Sequence, residues 1–252
     1  MSLPIDLAAV GRLEELAFRG WPALESRDVA GWRSRFAGGY TKRANSINAL
    51  SQDAETDPAI IQELEAAYRA RGQPPIWRLS PLAPPAIAEV LVAPFYRTIE
   101  RSLLQVGPLG GGFAVDPDVQ IHPQPTPAWL EAFSAHSPVQ PQHRDAMRRL
   151  LAAIAPPVGF AFVEAEGRPM AMAIGVVQGD HMGLFDVLVM PHARRRGLAR
   201  RVTESLYAWA GWHGARFAYL QVVATNQAAM ALYGAQGFRT VYEYEYRLPS
   251  SP

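Results

Sequence analysis

The sequence predicts an α/β protein built on a mixed, mostly antiparallel sheet flanked by helices. Three observations carry that expectation. Short β-rich runs alternate with amphipathic helical segments along the chain. Three consecutive runs within 159–190 are separated by Glu166-Gly167 and Gly179-Asp180, which read as turns between strands. The last of these runs then passes through three arginines and a glycine into a helical segment.

The elements follow in order. Residues 4–18 form a helical pattern, with Ile5, Ala9, Leu13 and Leu16 on one face. In "GWRSRFAGGYTKRANSI", Trp32, Ser34 and Phe36 alternate with Arg33 and Arg35, and Gly38-Gly39 reads as the turn of a hairpin. A second helix is bounded by Asp57 as cap, Pro58 in the first turn and Gly72 after its end. A strand "PIWRLS", a short helix "PPAIAEVLVAP" and a strand "FYRTIERSLLQV" complete the first half. The Gly- and Pro-rich segment 107–127 reads as a linker or edge strand. Helices near 127–135 and 140–153 precede the three strands. A helix with Leu198, Val202, Leu206 and Trp209 on one face comes next, then a strand "RFAYLQVVAT", a short helix "NQAAMALYGAQG" and a last strand "FRTVYEYEYRLP". Both halves end on helix, strand, short helix, strand. That is the pattern of two copies of one fold, or of short units that resemble each other by chance. The expected division is 1–110 and 125–252.

Composition narrows the function classes. The chain has 252 residues and a formal net charge of +1, so charge makes no case for nucleic acid or an anionic membrane. Cysteine is absent, which removes disulfides, thiolate metal sites and a cysteine nucleophile. The first residues lack the basic-then-apolar pattern of a signal peptide, and no apolar run approaches the roughly 18 residues a membrane span needs. The expectation is a cytoplasmic protein. The six histidines show no ligand spacing with carboxylates, so no metal is expected.

The chemistry concentrates at "VLVMPHARRRGLA". A helix begins with about four backbone N–H groups that have no intrahelical partner, and its dipole adds partial positive charge there. Glycine lets an anion approach the main chain, and arginine adds charge-assisted hydrogen bonds. Arg194–Ala199 reads R-x-x-G-x-A, which is neither a nucleotide P-loop nor a dinucleotide fingerprint. The plain alternative is a strand-to-helix turn with solvated arginines. Downstream, Asn226 opens the short helix and Tyr233 follows seven residues later, close to two turns on, so both lie near one face.

The ordered set "VLVMPHARRRGLA" and "NQAAMALYGAQGF" resembles the GNAT superfamily of N-acetyltransferases. The resemblance covers about 125–248 and is densest over 183–240. It implies that Arg194, Arg195, Arg196, Gly197, Leu198 and Ala199 hold the pyrophosphate of acetyl-CoA. It implies that Val187, Leu188 and Val189 offer main-chain groups to the pantetheine arm, between this strand and a splayed "RFAYLQVVAT". Asn226 would contact the arm, and Tyr233 would stand near the sulfur as general acid. The implied reaction is direct transfer to a primary amine of a small molecule or peptide, by a monomer or homodimer. The alternative is a non-catalytic acyl-CoA-binding sensor on the same fold. Many members acting on proteins carry a glutamate base in a core strand. Gln221 stands at a candidate matching position and cannot take that role. Asp186, in otherwise apolar surroundings, is the nearest substitute, either as base or as a structural carboxylate; Glu164 is a weaker one. Arg33, Arg35, Lys42 and Arg43 read as a solvated face or as a site for an acidic acceptor. The first half has no R-x-x-G-x-[GA] loop. As a second copy of the fold it would bind no acetyl-CoA and would shape the acceptor pocket.

Overall fold

A computed structural model describes residues 6–110, 112–137 and 139–250. Ile5, on the expected first helical face, lies outside them. The chain forms two compact units. The first takes the chain up to Leu104 together with 222–227 and 240 onward; the second takes 105–221 and 228–239. This differs from the contiguous division 1–110 and 125–252. The reason is pairing: the C-terminal strand runs antiparallel to a strand of the first half, with Glu245 opposite Leu79.

The first unit opens with α1 (Leu7–Gly20), capped by the Asp6 carboxylate, which accepts from the N–H groups of Ala8 at 3.0 Å and Ala9 at 3.2 Å. Its buried face is Val10, Leu13, Glu14, Ala17 and Phe18, rotated from the expected one; Ala9 and Leu16 are half-buried. The rotation follows from Glu14, an inward-facing acid with a buried cationic partner. β1 (Glu25–Val29) and β2 (Trp32–Phe36) form a hairpin about Ala30 and Gly31, before the predicted Gly38-Gly39 turn. Those two glycines instead begin the longer return to β3 (Ile47–Ala49), which also pairs antiparallel with β2. α2 (Pro58–Arg69) has the expected Asp57 cap, which accepts from Ala59 N–H at 2.8 Å, and Gly72 beyond its end adopts φ +67°. β4 (Trp77–Leu79) lies parallel to β3, and α3 (Pro85–Val90) follows. β5 (Tyr96–Pro108) starts in this unit and passes into the second at Gln105.

The second unit adds β6 (Gln120–His122), α4 (Pro127–His136), α5 (Arg144–Ala152), β7 (Val158–Ala165), β8 (Arg168–Gln178), β9 (His181–Val189) and α6 (Leu198–Trp212). The chain then runs through β10 (Phe217–Val223), α7 (Gln227–Ala235) and β11 (Arg239–Pro249). Strand order is β1-β2-β3-β4-β11-β5 in the first unit and β5-β10-β9-β8-β7-β6 in the second. β6 is an edge strand within the Gly/Pro-rich segment that reads as a linker or edge strand, with Ile121 opposite Ala161. β7, β8 and β9 form the predicted antiparallel meander. Glu166 and Gly167 join the first two with φ +54° and +69°, the left-handed pair that a tight hairpin turn demands. α6 packs across β7, β8 and β9. It presses so closely that a Cβ on Gly175 would stand 3.1 Å from a Leu206 methyl.

The buried polar groups of the first unit form a network. Glu14 and Arg78, 2% and 3% exposed, form a two-point ion pair, and the Tyr242 hydroxyl donates to the same carboxylate. The Arg78 guanidinium lies 3.8 Å above the Tyr244 ring. Arg35, expected on a solvated face, is also only 3% exposed. Its guanidinium donates to the carbonyls of Phe18 at 3.0 Å, Trp21 at 2.6 Å and Arg43. Arg33 pairs with Glu15 and Asp28, Lys42 with Glu100, and Arg43 lies over the Trp21 ring. The alternation in "WRSRF" suggested two faces, one wet. The arginine side is covered as well, because Phe18 of α1, Trp21 just beyond it and Arg43 supply the carbonyls to Arg35, and Glu15 of α1 pairs with the half-buried Arg33.

Candidate functional site

The second unit brings a strand, a loop and two helices to its chemistry. β9 pairs parallel with β10 over four positions, from Phe217 opposite His181 to Leu220 opposite Leu184. The pairing stops there, while β9 continues to Val189. On its other side β9 carries one extra residue: Phe185 faces Ile174 and Leu188 faces Met172, so three steps on β9 match two on β8. The extra residue makes a bulge, and Asp186 within it takes φ +48°. Aspartate is among the side chains that tolerate this left-handed conformation. The bulge redirects the backbone of Val187, Leu188 and Val189 just beyond the last pair with β10. Asp186 itself is half-buried rather than sealed in apolar surroundings. Gln221 is half-buried on β10, and Glu164 is exposed near the end of β7.

A short turn at Pro191–Ala193 follows β9, and the chain enters α6 through the arginines. Arg194, Arg195 and Arg196 are all exposed. Arg195 has φ +64° and Gly197 φ +72°, so the loop is wound by left-handed residues into the helix. Gly197 occupies the cap position of α6 with no side-chain hydrogen bond, and the first intrahelical bond runs from Arg201 N–H to Gly197 O at 3.1 Å. The N–H groups of the first turn therefore lack intrahelical partners. Among the described residues, no heavy atom beyond Gly197 and its two chain neighbours lies within 4 Å of the place a Gly197 Cβ would occupy. Open space, uncapped N–H groups and three exposed guanidinium groups fit an anion with several oxygens, such as a pyrophosphate.

The next arginines have different work. Arg200 pairs with Glu204 at 3.4 Å. Arg201 holds Asp116 by two bonds of 2.6 and 2.7 Å and reaches Asp118 at 2.6 Å, while the Asp116 N–H donates to Ser205 Oγ at 3.0 Å. Segment 116–118 is thereby strapped to the first two turns of α6. The Arg201 hydrogen bonds hold the Asp116 carboxyl below its ordinary range. Sequence reasoning missed this strap, since nothing local links positions so far apart.

Asn226 is exposed and immediately precedes α7, the short helix it was expected to open. On α7, Tyr233 is the buried residue, 7% exposed. Its ring lies against Phe238, centroids 5.9 Å apart. Burial pushes its phenol up to about 12. The hydroxyl is protonated throughout the neutral range, as a phenol is even at its ordinary value of about 10. Gln236, three residues on, is buried and bonded to two side chains of α6. Sequence inspection passed over it.

Two negative statements hold among the described residues. No helix is long and apolar enough to cross a membrane. No cluster of three or more His, Cys, Asp or Glu is arranged to hold a metal ion.

Comparison with known proteins bears on this geometry. Residues 8–247 match the family model described as probable histone acetyltransferase Rv0428c, C-terminal. An uncharacterized N-acetyltransferase, YobR, of Bacillus subtilis is 25% identical over 249 residues, covering 95% of this chain and 98% of that protein. A GCN5-related N-acetyltransferase from Kribbella flavida superposes with a TM-score of 0.67 at 17% identity, covering 96% of each chain. A tandem GNAT protein from the clavulanic acid biosynthesis pathway superposes with a TM-score of 0.62 at 10% identity, covering 95% of this chain and 88% of that one.

Proposed function

The chain belongs to the family described as probable histone acetyltransferase Rv0428c, C-terminal, and is a GNAT-type N-acetyltransferase; from that premise we propose that it moves the acetyl group of acetyl-CoA directly to a primary amine. The observation that carries the proposal is the entry to α6. There, left-handed Gly197, uncapped N–H groups and three exposed arginines stand together at the end of β9.

In this reading the loop Arg194–Ala199 takes the pyrophosphate, by main-chain N–H groups and by charge. The backbone of Val187, Leu188 and Val189 takes the pantetheine arm, and one of its N–H groups faces the thioester oxygen as negative charge builds there. Asn226 contacts the arm. Tyr233, whose phenol is protonated at neutral pH, gives its proton to the departing sulfur. Asp186 receives the amine proton, directly or through water. It is the acid that β9 itself carries, three residues before the strand's end, and Gln221 cannot serve. Most of the rate enhancement comes from holding amine and thioester together. The first unit lacks an arginine-glycine loop and binds no acetyl-CoA, whether or not it is a second copy of the fold. The protein acts in the cytoplasm on a small-molecule or peptide amine.

The test is steady release of CoA. The chain has no cysteine, so a thiol reagent reads only the product. A panel of amines should contain at least one that sustains release at catalytic enzyme. Acetyl-CoA binding without turnover on any amine would return the chain to the sensor reading.

A further inference from the structure

We infer that Gln236 is a positioning residue that braces the helix carrying Tyr233 against the helix that begins at the arginine loop. The inference rests on the acetyl-transfer reading above. Gln236 is 8% exposed. Its amide nitrogen donates to Thr203 Oγ1 at 2.8 Å, and its amide oxygen accepts from the Tyr207 hydroxyl at 3.2 Å. Thr203 and Tyr207 are four residues apart on α6 and so present to one face. The Thr203 hydroxyl in turn donates to the Arg200 carbonyl at 3.1 Å, in the first turn of the same helix. At the other end, the Gln236 N–H donates to the carbonyls of Leu232 at 3.2 Å and Tyr233 at 3.0 Å. The amide is thus tied by its main chain to Tyr233 and by its side chain to α6.

The surroundings are apolar. Phe238 lies 5.8 Å from the Tyr207 ring and 5.9 Å from that of Tyr233. Tyr207 is buried, and its phenol is pushed well up, first by burial and then by the neighbouring Tyr233. An amide in such a wall costs stability unless both its ends are bonded, and a leucine would fill the space without that demand. What the amide adds is direction. Two hydrogen bonds of opposite sense, one turn apart on α6, fix the rotation of that helix relative to α7. The loop at the start of α6 holds one end of the cofactor, and Tyr233 must meet its sulfur at the other. A misplacement of about 1 Å between such parts costs on the order of 10² in rate.

The test uses the full chain and the double variant Tyr207→Phe/Gln236→Leu. It removes donor and acceptor together and leaves the Thr203 hydroxyl bonded to the Arg200 carbonyl, so no buried donor is stranded. The melting temperature should stay within a few degrees of wild type, with kcat down roughly tenfold and acetyl-CoA Kd changed less than about threefold. Gln236→Leu alone should melt lower, because it removes the amide acceptor and leaves the Tyr207 hydroxyl with Thr203 as its side-chain partner. Hydrogen exchange gives a readout free of turnover. CoA should protect 194–201 in both proteins and 227–238 in wild type alone. Thr203→Val cuts only the amide's donor bond and carries the test if the double variant does not fold; about a threefold loss in kcat is expected. A double variant with kcat within about twofold of wild type and unchanged protection of 227–238 makes Gln236 a packing residue. CoA that protects neither segment in wild type overturns the acetyl-CoA reading, and the brace falls with it.

Discussion

The two units treat their arginines in opposite ways. In the first, Arg78 is sealed against Glu14, Tyr242 and Tyr244, and Arg35 is wrapped by three backbone carbonyls. Burial, with the nearby Arg78 charge, pulls the Arg35 guanidinium down to about 10. In the second, Arg194, Arg195 and Arg196 stand exposed before an uncapped helix end. A buried, fully bonded cation holds a fold together and has nothing left for a ligand. An exposed cation beside unpartnered N–H groups does little for stability and is available to an anion. The contrast predicts that substitutions in the buried arginine network act on folding and substitutions in the exposed arginine loop act on acetyl-CoA.

The largest effect should come from Glu14→Leu. It leaves the Arg78 charge buried and unpaired, a change that costs about 3–5 kcal/mol. Denaturant melts should show the loss, while the folded fraction keeps its acetyl-CoA affinity. A variant that folds as well as wild type would break the comparison at its first term.

Next is Gly197, where Asp and Asn can be set against each other. Both tolerate the left-handed backbone at φ +72°, so strain is matched and charge is the difference. A carboxylate about 4 Å from a phosphate charge costs about 4 kcal/mol near a protein surface, on the order of 10³ in Kd. Gly197→Asp should therefore lose acetyl-CoA by calorimetry, and Gly197→Asn should lose far less. Equal losses in the two would mean that shape, not charge, governs the loop.

Tyr233→Phe should keep the fold and the affinity and lower kcat by roughly 10², the low end for general acid catalysis. The wild-type phenol is held up to about 12, so it contributes no fall in rate through the neutral range. A rate within about twofold of wild type would make Tyr233 a packing residue.

The smallest effect is at the strap on α6. Arg201 lowers the folded-state pKa of Asp116, so the pair adds stability above the unfolded carboxyl value of about 3.9 and loses it as pH falls through the lower folded value. The pair is partly exposed, so Asp116→Asn should cost no more than about 1 kcal/mol at pH 7. Melting curves of variant and wild type should converge in acid, below the folded value. A constant gap across pH would mean that the ion pair is not what Asp116 contributes.

These expectations divide along what local sequence can encode. The turn from β9 through the arginines and Gly197 into α6 was legible because strand, arginines, glycine and helix are contiguous. The Asp57 cap, the Glu166-Gly167 turn and the β7–β9 meander were legible for the same reason. The pairing of β11 with β4 was not, since the partners lie some 170 residues apart and several strands have similar patterns. The burial of Arg35 was hidden because its acceptors are main-chain carbonyls, which leave no mark in side-chain identity. Glu14 turned the α1 face for a parallel reason, its partner being Arg78 on a distant strand. The bulge at Asp186 left only one weak signal, an acid inside an apolar strand. That signal was read as a base or a structural carboxylate, and it carried no sign that the residue also adopts positive φ.

The central claim is that one unit holds acetyl-CoA and the other holds only itself. Calorimetric titration of the intact chain with acetyl-CoA tests it most directly, run beside Gly197→Asp. The account predicts one cofactor per chain at saturation and no binding in the variant. Two equivalents per chain, or one equivalent that survives in folded Gly197→Asp, would contradict it.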